Sequence, residues 1–211
     1  MRLSEQRART VTKELLSYRG WDLRPVSSGG QMLEESEYRA FPTLSHIFEK
    51  KSKTGPGIGK PDFLLVESAS SLRPLIVIDT KPNTTDLQKS IKDTQHYGNA
   101  IYETGQEALS VAVAGAEREI CDVRVQRLIN MRWKELTLHN QAIDWIPSPK
   151  QTSRILSIVG QTEVAPERPS DHVLAEQAMR LNEIFANVRS MMPCDLFMPR
   201  RLCLLYGLVM L

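Results

Sequence analysis

The sequence predicts an α/β domain built around a mixed sheet, followed by an all-helical C-terminal extension. Three observations carry this reading. Two apolar runs of strand length, Phe63-Leu64-Leu65-Val66 and Pro74-Leu75-Ile76-Val77-Ile78-Asp79, flank the polar turn ESASSLR, which is the pattern of a β-hairpin. A helical stripe follows, and then two more strand-like runs. Helix, hairpin, helix, strand, strand is the element order of an α/β domain running to about residue 146.

Each element has its own warrant. In residues 4–18, Ser4 is a capping residue, and Ala8, Val11, Leu15 and Tyr18 recur along one helical face until Gly20 stops the run. Trp21-Asp22-Leu23 begins a short extended piece. From Ser27 to Gly59 the patterning is poor, and the segment reads as loops with at most one short helix or strand. Pro82 ends the second hairpin strand because it has no N–H for a ladder. Thr84 or Thr85 then caps a helix carrying Leu87, Ile91, Thr94, Gly98 and Ile101 on one stripe, with Gly105 at its end. Leu109 to Ala114 reads as a third strand, and the alternation of Val123 to Leu128 as a fourth. Pro147-Ser148-Pro149 breaks the pattern and EVAPERPSD is linker-like, so 147–169 reads as a linker. From 170 to 211 the periodicity is helical.

Composition bounds the function. The 211 residues are 41% hydrophobic and 25% charged, enough to bury a core, which excludes disordered and fibrous classes. A formal charge of +2 means that any nucleic-acid contact comes from local clusters rather than bulk charge. Cys121, Cys194 and Cys203 are odd in number, far apart and without a CxxC pair, so they support neither a disulfide framework nor a zinc site. With a charged N-terminus lacking an apolar h-region, the expectation is a reduced, cytoplasmic protein without a membrane partner. The apolar run Leu202–Leu211 is too short to span a bilayer, which takes about 20 residues. It reads as the start of a further module cut short.

The chemistry-bearing segment is Gly59-Lys60-Pro61-Asp62, the hairpin, and Ile78-Asp79-Thr80-Lys81. Asp79 and Lys81 share one face of their strand, and acids are rare at the end of such an apolar run. An antiparallel hairpin brings Asp62 beside Asp79 at one sheet edge. Two carboxylates a few ångströms apart repel unless a cation sits between them, and Mg²⁺ favours such oxygen ligands. Other apparent motifs fail: GPGIGKP lacks the residues of a phosphate loop, and His46, His96, His139 and His172 have no ligand spacing. Lys51, Lys53 and Lys60, with Lys50, form a basic approach loop suited to gripping phosphates without reading sequence.

GKPDFLLVES and PLIVIDTK together resemble the PD-(D/E)xK nuclease core, with Asp62 as the first acid and Asp79-Thr80-Lys81 as the second half. The likeness is to nuclease domains of type I restriction subunits and fused restriction–modification enzymes, which open with an E-x-x-x-R helix ending in Gly-Trp; here Glu5, Arg9 and Gly20-Trp21 hold those places. It covers residues 4–115 and implies a restriction-endonuclease-like fold cutting double-stranded DNA with Mg²⁺, or Mn²⁺ in its stead. Asp62, Asp79, Glu5 and the Thr80 carbonyl would hold the ion, and Lys81 would act on the attacking water. Glu14 competes with Glu5 for the helical acid, since it lies closer to Gly-Trp. Many relatives carry Gln-x-x-x-Tyr on the next helix; here Gln95 is followed by Asn99, while Tyr97 has Asp93 four before it. Gln95 is still carried as a DNA-contacting candidate. The C-terminal helices resemble the lead-in to an N6-adenine methyltransferase module, which implies methyltransferase or specificity modules as partners. Two rival readings are a non-catalytic DNA-binding or assembly domain of the same fold, and a repair or junction nuclease.

Overall fold

A computed structural model of the chain describes residues 3–35, 37–53, 57–165 and 178–185. The chain divides into two compact units, 1–167 and 168–211. The second is described only at 178–185, which is helical and leaves Met179, Leu181, Ile184 and Phe185 exposed. The rest of the expected extension, including Leu202–Leu211, Cys194 and Cys203, lies outside the described residues.

The first unit is a mixed α/β domain. Its elements are α1 (Leu3–Tyr18), β1 (Met32–Glu34), α2 (Pro42–Ile47), β2 (Phe63–Val66), β3 (Pro74–Lys81), α3 (Leu87–Glu103), β4 (Leu109–Ala114), β5 (Asp122–Ile129), β6 (Arg132–Glu135), β7 (Thr137–Leu138), β8 (Gln141–Ala142) and α4 (Pro149–Ser157). Strands β1 to β6 form one sheet in that spatial order, and β7 and β8 form a separate ribbon. All neighbours are antiparallel except β3 and β4, which run parallel and are joined through α3, as a parallel pair requires a crossover.

Why β2 and β3 are apolar at consecutive positions follows from burial on both sides. Phe63, Leu65, Ile76 and Ile78 pack with Val111, Val113 and Val125 against Leu16 of α1 and Ile155 and Leu156 of α4. Leu64, Val66 and Val77 pack on the other side with Leu44 and Ile47 of α2 and Tyr97, Ala100 and Ile101 of α3. The sheet therefore lies between α1 and α4 on one face and α2 and α3 on the other.

Two sequence readings are corrected. The segment 27–59, read as mostly loop, supplies an edge strand and a helix: Met32, Leu33 and Glu34 pair with Leu65, Leu64 and Phe63, and α2 buries Leu44 and Ile47. The segment 147–169, read as a linker, folds into the domain through residue 165. Ser148 caps α4 in a reciprocal capping box with Gln151, Pro149 takes the first turn, and Ile155, Leu156 and Val164 join the core. The indole N–H of Trp21 donates to the Pro147 carbonyl at 2.9 Å, and Arg19 donates to the Gln151 side chain at 2.8 Å, so the end of α1 holds the start of α4.

Candidate active site

The hairpin register pairs Phe63 with Ile78, which sets Asp62, just before β2, opposite the Asp79 end of β3. The three acid and base positions of the sequence motif thus meet at one end of the sheet, where α1, α3 and the segment between α2 and β2 converge. Their partners differ from a bare pair of acids.

Asp62 is held from the α1 side. Its Oδ2 accepts the Thr80 backbone N–H at 2.7 Å and the Thr80 hydroxyl at 2.8 Å, and its Oδ1 accepts from Arg9 Nη1 at 2.9 Å. Arg9 also reaches Glu34 and Glu35 and lies 4.8 Å from the centre of the Phe63 ring. Burial works against the charge of Arg9, but Asp62, Glu34 and Glu35 outweigh it and hold the guanidinium above its ordinary value. Glu5 and Glu14 both lie exposed; the residue that α1 sends to Asp62 is Arg9, one turn beyond Glu5.

Asp79 is held from the α3 side, with its side chain only 6% exposed. Lys81 donates to its Oδ1, and Lys53 donates to its Oδ2 at 2.7 Å. Both lysines then meet one oxygen of Asp93 on α3, Lys53 at 2.9 Å and Lys81 at 3.0 Å. The result is a closed ring of alternating charge: Asp79, Lys81, Asp93, Lys53. Burial and the nearby Asp62 raise the Asp79 carboxyl above its ordinary value even though both lysines pull it down. Burial opposes the charge of Lys53 and Lys81, yet their carboxylate partners outweigh it and keep both ammoniums above the usual lysine value. Asp93 ends up below the usual carboxylate range, because its bonds to the lysines exceed the cost of burial.

Tyr97, one helical turn after Asp93, completes the wall. Lys53 Nζ stands 4.6 Å over its ring, and its hydroxyl accepts the Lys60 backbone N–H at 3.2 Å. Gly59 lets the chain pass this close: a Cβ there would lie 2.6 Å from the Lys51 carbonyl oxygen and 2.8 Å from the Tyr97 ring.

The basic loop is only partly as the sequence suggests. The Lys60 side chain is exposed, whereas Lys51 pairs with Glu103 at 2.5 Å and Lys53 turns inward to Asp79 and Asp93. Gln95 points elsewhere, donating to the Gln126 side chain on β5 at 2.7 Å. Arg9, Asp93 and Tyr97 are the contributors that residue-by-residue reasoning undervalued. The four-residue spacing of Asp93 and Tyr97, which puts both on one helix face, was their sequence signal.

The donors available to a cation here are all oxygen, from Asp62, Asp79 and the Thr80 carbonyl, which suits a hard divalent ion. No group of three or more His, Cys, Asp or Glu stands in metal-holding geometry among the described residues. No described helix is long and apolar enough to cross a membrane. Comparison with family models, curated proteins and solved structures finds no match.

Proposed function

We propose that the first unit is a metal-dependent endonuclease domain of restriction-endonuclease-like fold, hydrolysing phosphodiester bonds of double-stranded DNA within a restriction–modification system. The observation that carries the reading is the meeting of Asp62, Asp79 and Lys81 at one end of a mixed sheet, with a helix from the N-terminus locking the first acid. Asp62, Asp79 and the Thr80 carbonyl would hold Mg²⁺ or Mn²⁺, which supplies Lewis-acid stabilisation of a phosphodiester when bound. The acceptor set fits a hard divalent ion because it is all oxygen, two carboxylates and a carbonyl at one end of the sheet.

The chain's own residues do the rest. Arg9 and Thr80 fix the Asp62 carboxylate, so it enters the reaction preorganised. Lys81, tethered two residues from Asp79 on the same strand face, orients the attacking water and meets the charge developing on the phosphoryl oxygens. Glu5 lies one turn from Arg9 on the same helix and is kept as a candidate for an outer contact to the ion. Lys60, exposed beside Tyr97, binds the DNA backbone. Methyltransferase or specificity modules are the partners this reading implies.

A second reading has its own support. Both oxygens of Asp79 and both of Asp62 already receive protein donors, as they would in a non-catalytic DNA-binding domain that keeps the fold. Incubating the chain with supercoiled plasmid separates the two. The endonuclease nicks or linearises it in Mg²⁺ or Mn²⁺, stops in excess chelator, and is silent as Asp62→Asn or Asp79→Asn. Retardation of duplex DNA without cleavage in either ion would establish the non-catalytic domain instead.

A further inference from the structure

We infer that Lys53 is a displaceable occupant of the cation position at Asp79, so that the divalent ion gains full access only when Lys53 is drawn off by a phosphate of the substrate. The inference rests on the metal-site reading above and assigns that site its regulation.

Charge balance is the first ground. Asp79 and Asp93 are matched by Lys53 and Lys81 in a closed ring, two negative and two positive, with every Asp79 oxygen taken. A divalent ion entering that ring would meet two ammoniums with no unpaired carboxylate, which is electrostatically unfavourable in a poorly hydrated place. One lysine has to leave.

Geometry says which one. Lys81 belongs to β3, two residues from Asp79, with its backbone paired to Ala114 of β4, and it shares the strand face of Asp79 wherever its ammonium points. Lys53 comes from the segment between α2 and β2, 26 residues away in sequence, and it reaches inward with a side chain 27% exposed against 17% for Lys81. Among the described residues, three attractions hold its ammonium: Asp79, Asp93 and the face of Tyr97. None is a backbone group, so each can be exchanged for another anion without unfolding an element. The exposed Lys60 seven residues on marks the side from which a phosphodiester would approach. When Lys53 takes a phosphate oxygen, Asp79 Oδ2 is released, and binding of ion and of DNA becomes reciprocally coupled.

The test is Mn²⁺ titration of the DNA-free chain, read as the loss of the free ion's paramagnetic resonance signal. Lys53→Gln keeps a hydrogen-bonding end without the charge, and Lys53→Met keeps only the apolar stem. Melting curves confirm that each is folded, and the glutamine variant serves if the methionine variant is not. The expected result is Mn²⁺ bound at least tenfold more tightly by the variant than by the parent. Equal or weaker binding by a folded variant overturns the role of Lys53 and leaves the endonuclease reading standing, since plasmid cleavage by the parent decides that separately. Absence of Mn²⁺ binding by parent and folded variants alike overturns the role of Lys53 as well, and plasmid cleavage still decides the endonuclease reading.

Discussion

Arg127 and Lys53 are both cations drawn in from solvent, but they meet different partners. Arg127 on β5 is 3% exposed, and its Nη1 donates to the carbonyls of Ile155, Ile158 and Gln161 at 2.6, 2.8 and 3.1 Å. These close the C-terminal end of α4, where the helix dipole favours positive charge, and Glu107 at 2.6 Å completes the set. Carbonyls of a folded backbone cannot be surrendered one at a time. Among the described residues, Lys53 meets side chains, two carboxylates and an aromatic face, and all can be exchanged for a ligand. A buried cation fastened to backbone holds structure, whereas one fastened to carboxylates at the end of an interior strand can exchange them for a ligand.

That contrast is broken most severely by two substitutions with opposite signatures. Lys81→Ala should lower plasmid cleavage by at least about 10³-fold, about 4 kcal/mol of transition-state stabilisation, because no other cation of β3 shares the strand face of Asp79. Asp79 and Asp93 retain Lys53, so the thermal midpoint should fall by only a few degrees. Arg127→Met should do the reverse. Stranding the α4 carbonyls and Glu107 costs about 3 kcal/mol, a fall of about 6–12 °C in a domain of this size, with cleavage per folded molecule unchanged. Equal stability losses in the two variants would erase the distinction.

Asp93→Asn sharpens the comparison with a pH dependence. The Asp93 carboxyl is held below the ordinary carboxylate range by Lys53 and Lys81 against the cost of burial. An acid whose folded value is depressed contributes stability that is present above its unfolded value and disappears as pH falls through the folded one. The variant should therefore be less stable than the parent by about 1 kcal/mol at neutral pH, with the gap closing below about pH 4. Urea melts across that range measure it; a gap independent of pH would mean Asp93 acts by packing alone.

What the chain discloses by itself depends on how local each signal is. The hairpin strands and β4 are legible because two-sided burial writes continuous apolar runs, β5 because one buried face writes alternation, and α3 because its buried stripe repeats at helical spacing. The β5–β6 hairpin is hidden because its two-residue turn, Asn130-Met131, takes positive φ at both positions without a glycine to announce it. Helix α4 is hidden for a different reason: Pro147-Ser148-Pro149 reads as a breaker, although Ser148 and Gln151 spell a capping box with proline in the first turn. In the site, Asp62, Asp79 and Lys81 are found because strand alternation and hairpin register are local rules. The inward turn of Lys53 depends on where the segment after α2 lands, and the value of Asp93 depends on a lysine 40 residues earlier, so neither is written in any short window.

The smallest effect is expected at Gln95, and it tests whether the α3 face with Asp93 is the working one. Residues 93 and 95 stand about 200° apart around a helix of 3.6 residues per turn. Asp93 accordingly faces the lysines, while Gln95 donates to Gln126 on β5. Gln126 belongs to a neighbouring strand and is itself partly buried, so the pair is a packing bond between helix and sheet. Gln95→Ala should cost about 0.5–1 kcal/mol of stability and leave cleavage within about twofold of the parent, 0.4 kcal/mol or so on the barrier. A tenfold loss of cleavage with an unchanged melting curve would place the DNA path over β5, where Gln95 lies, and move the working face of α3 away from Asp93 and Tyr97.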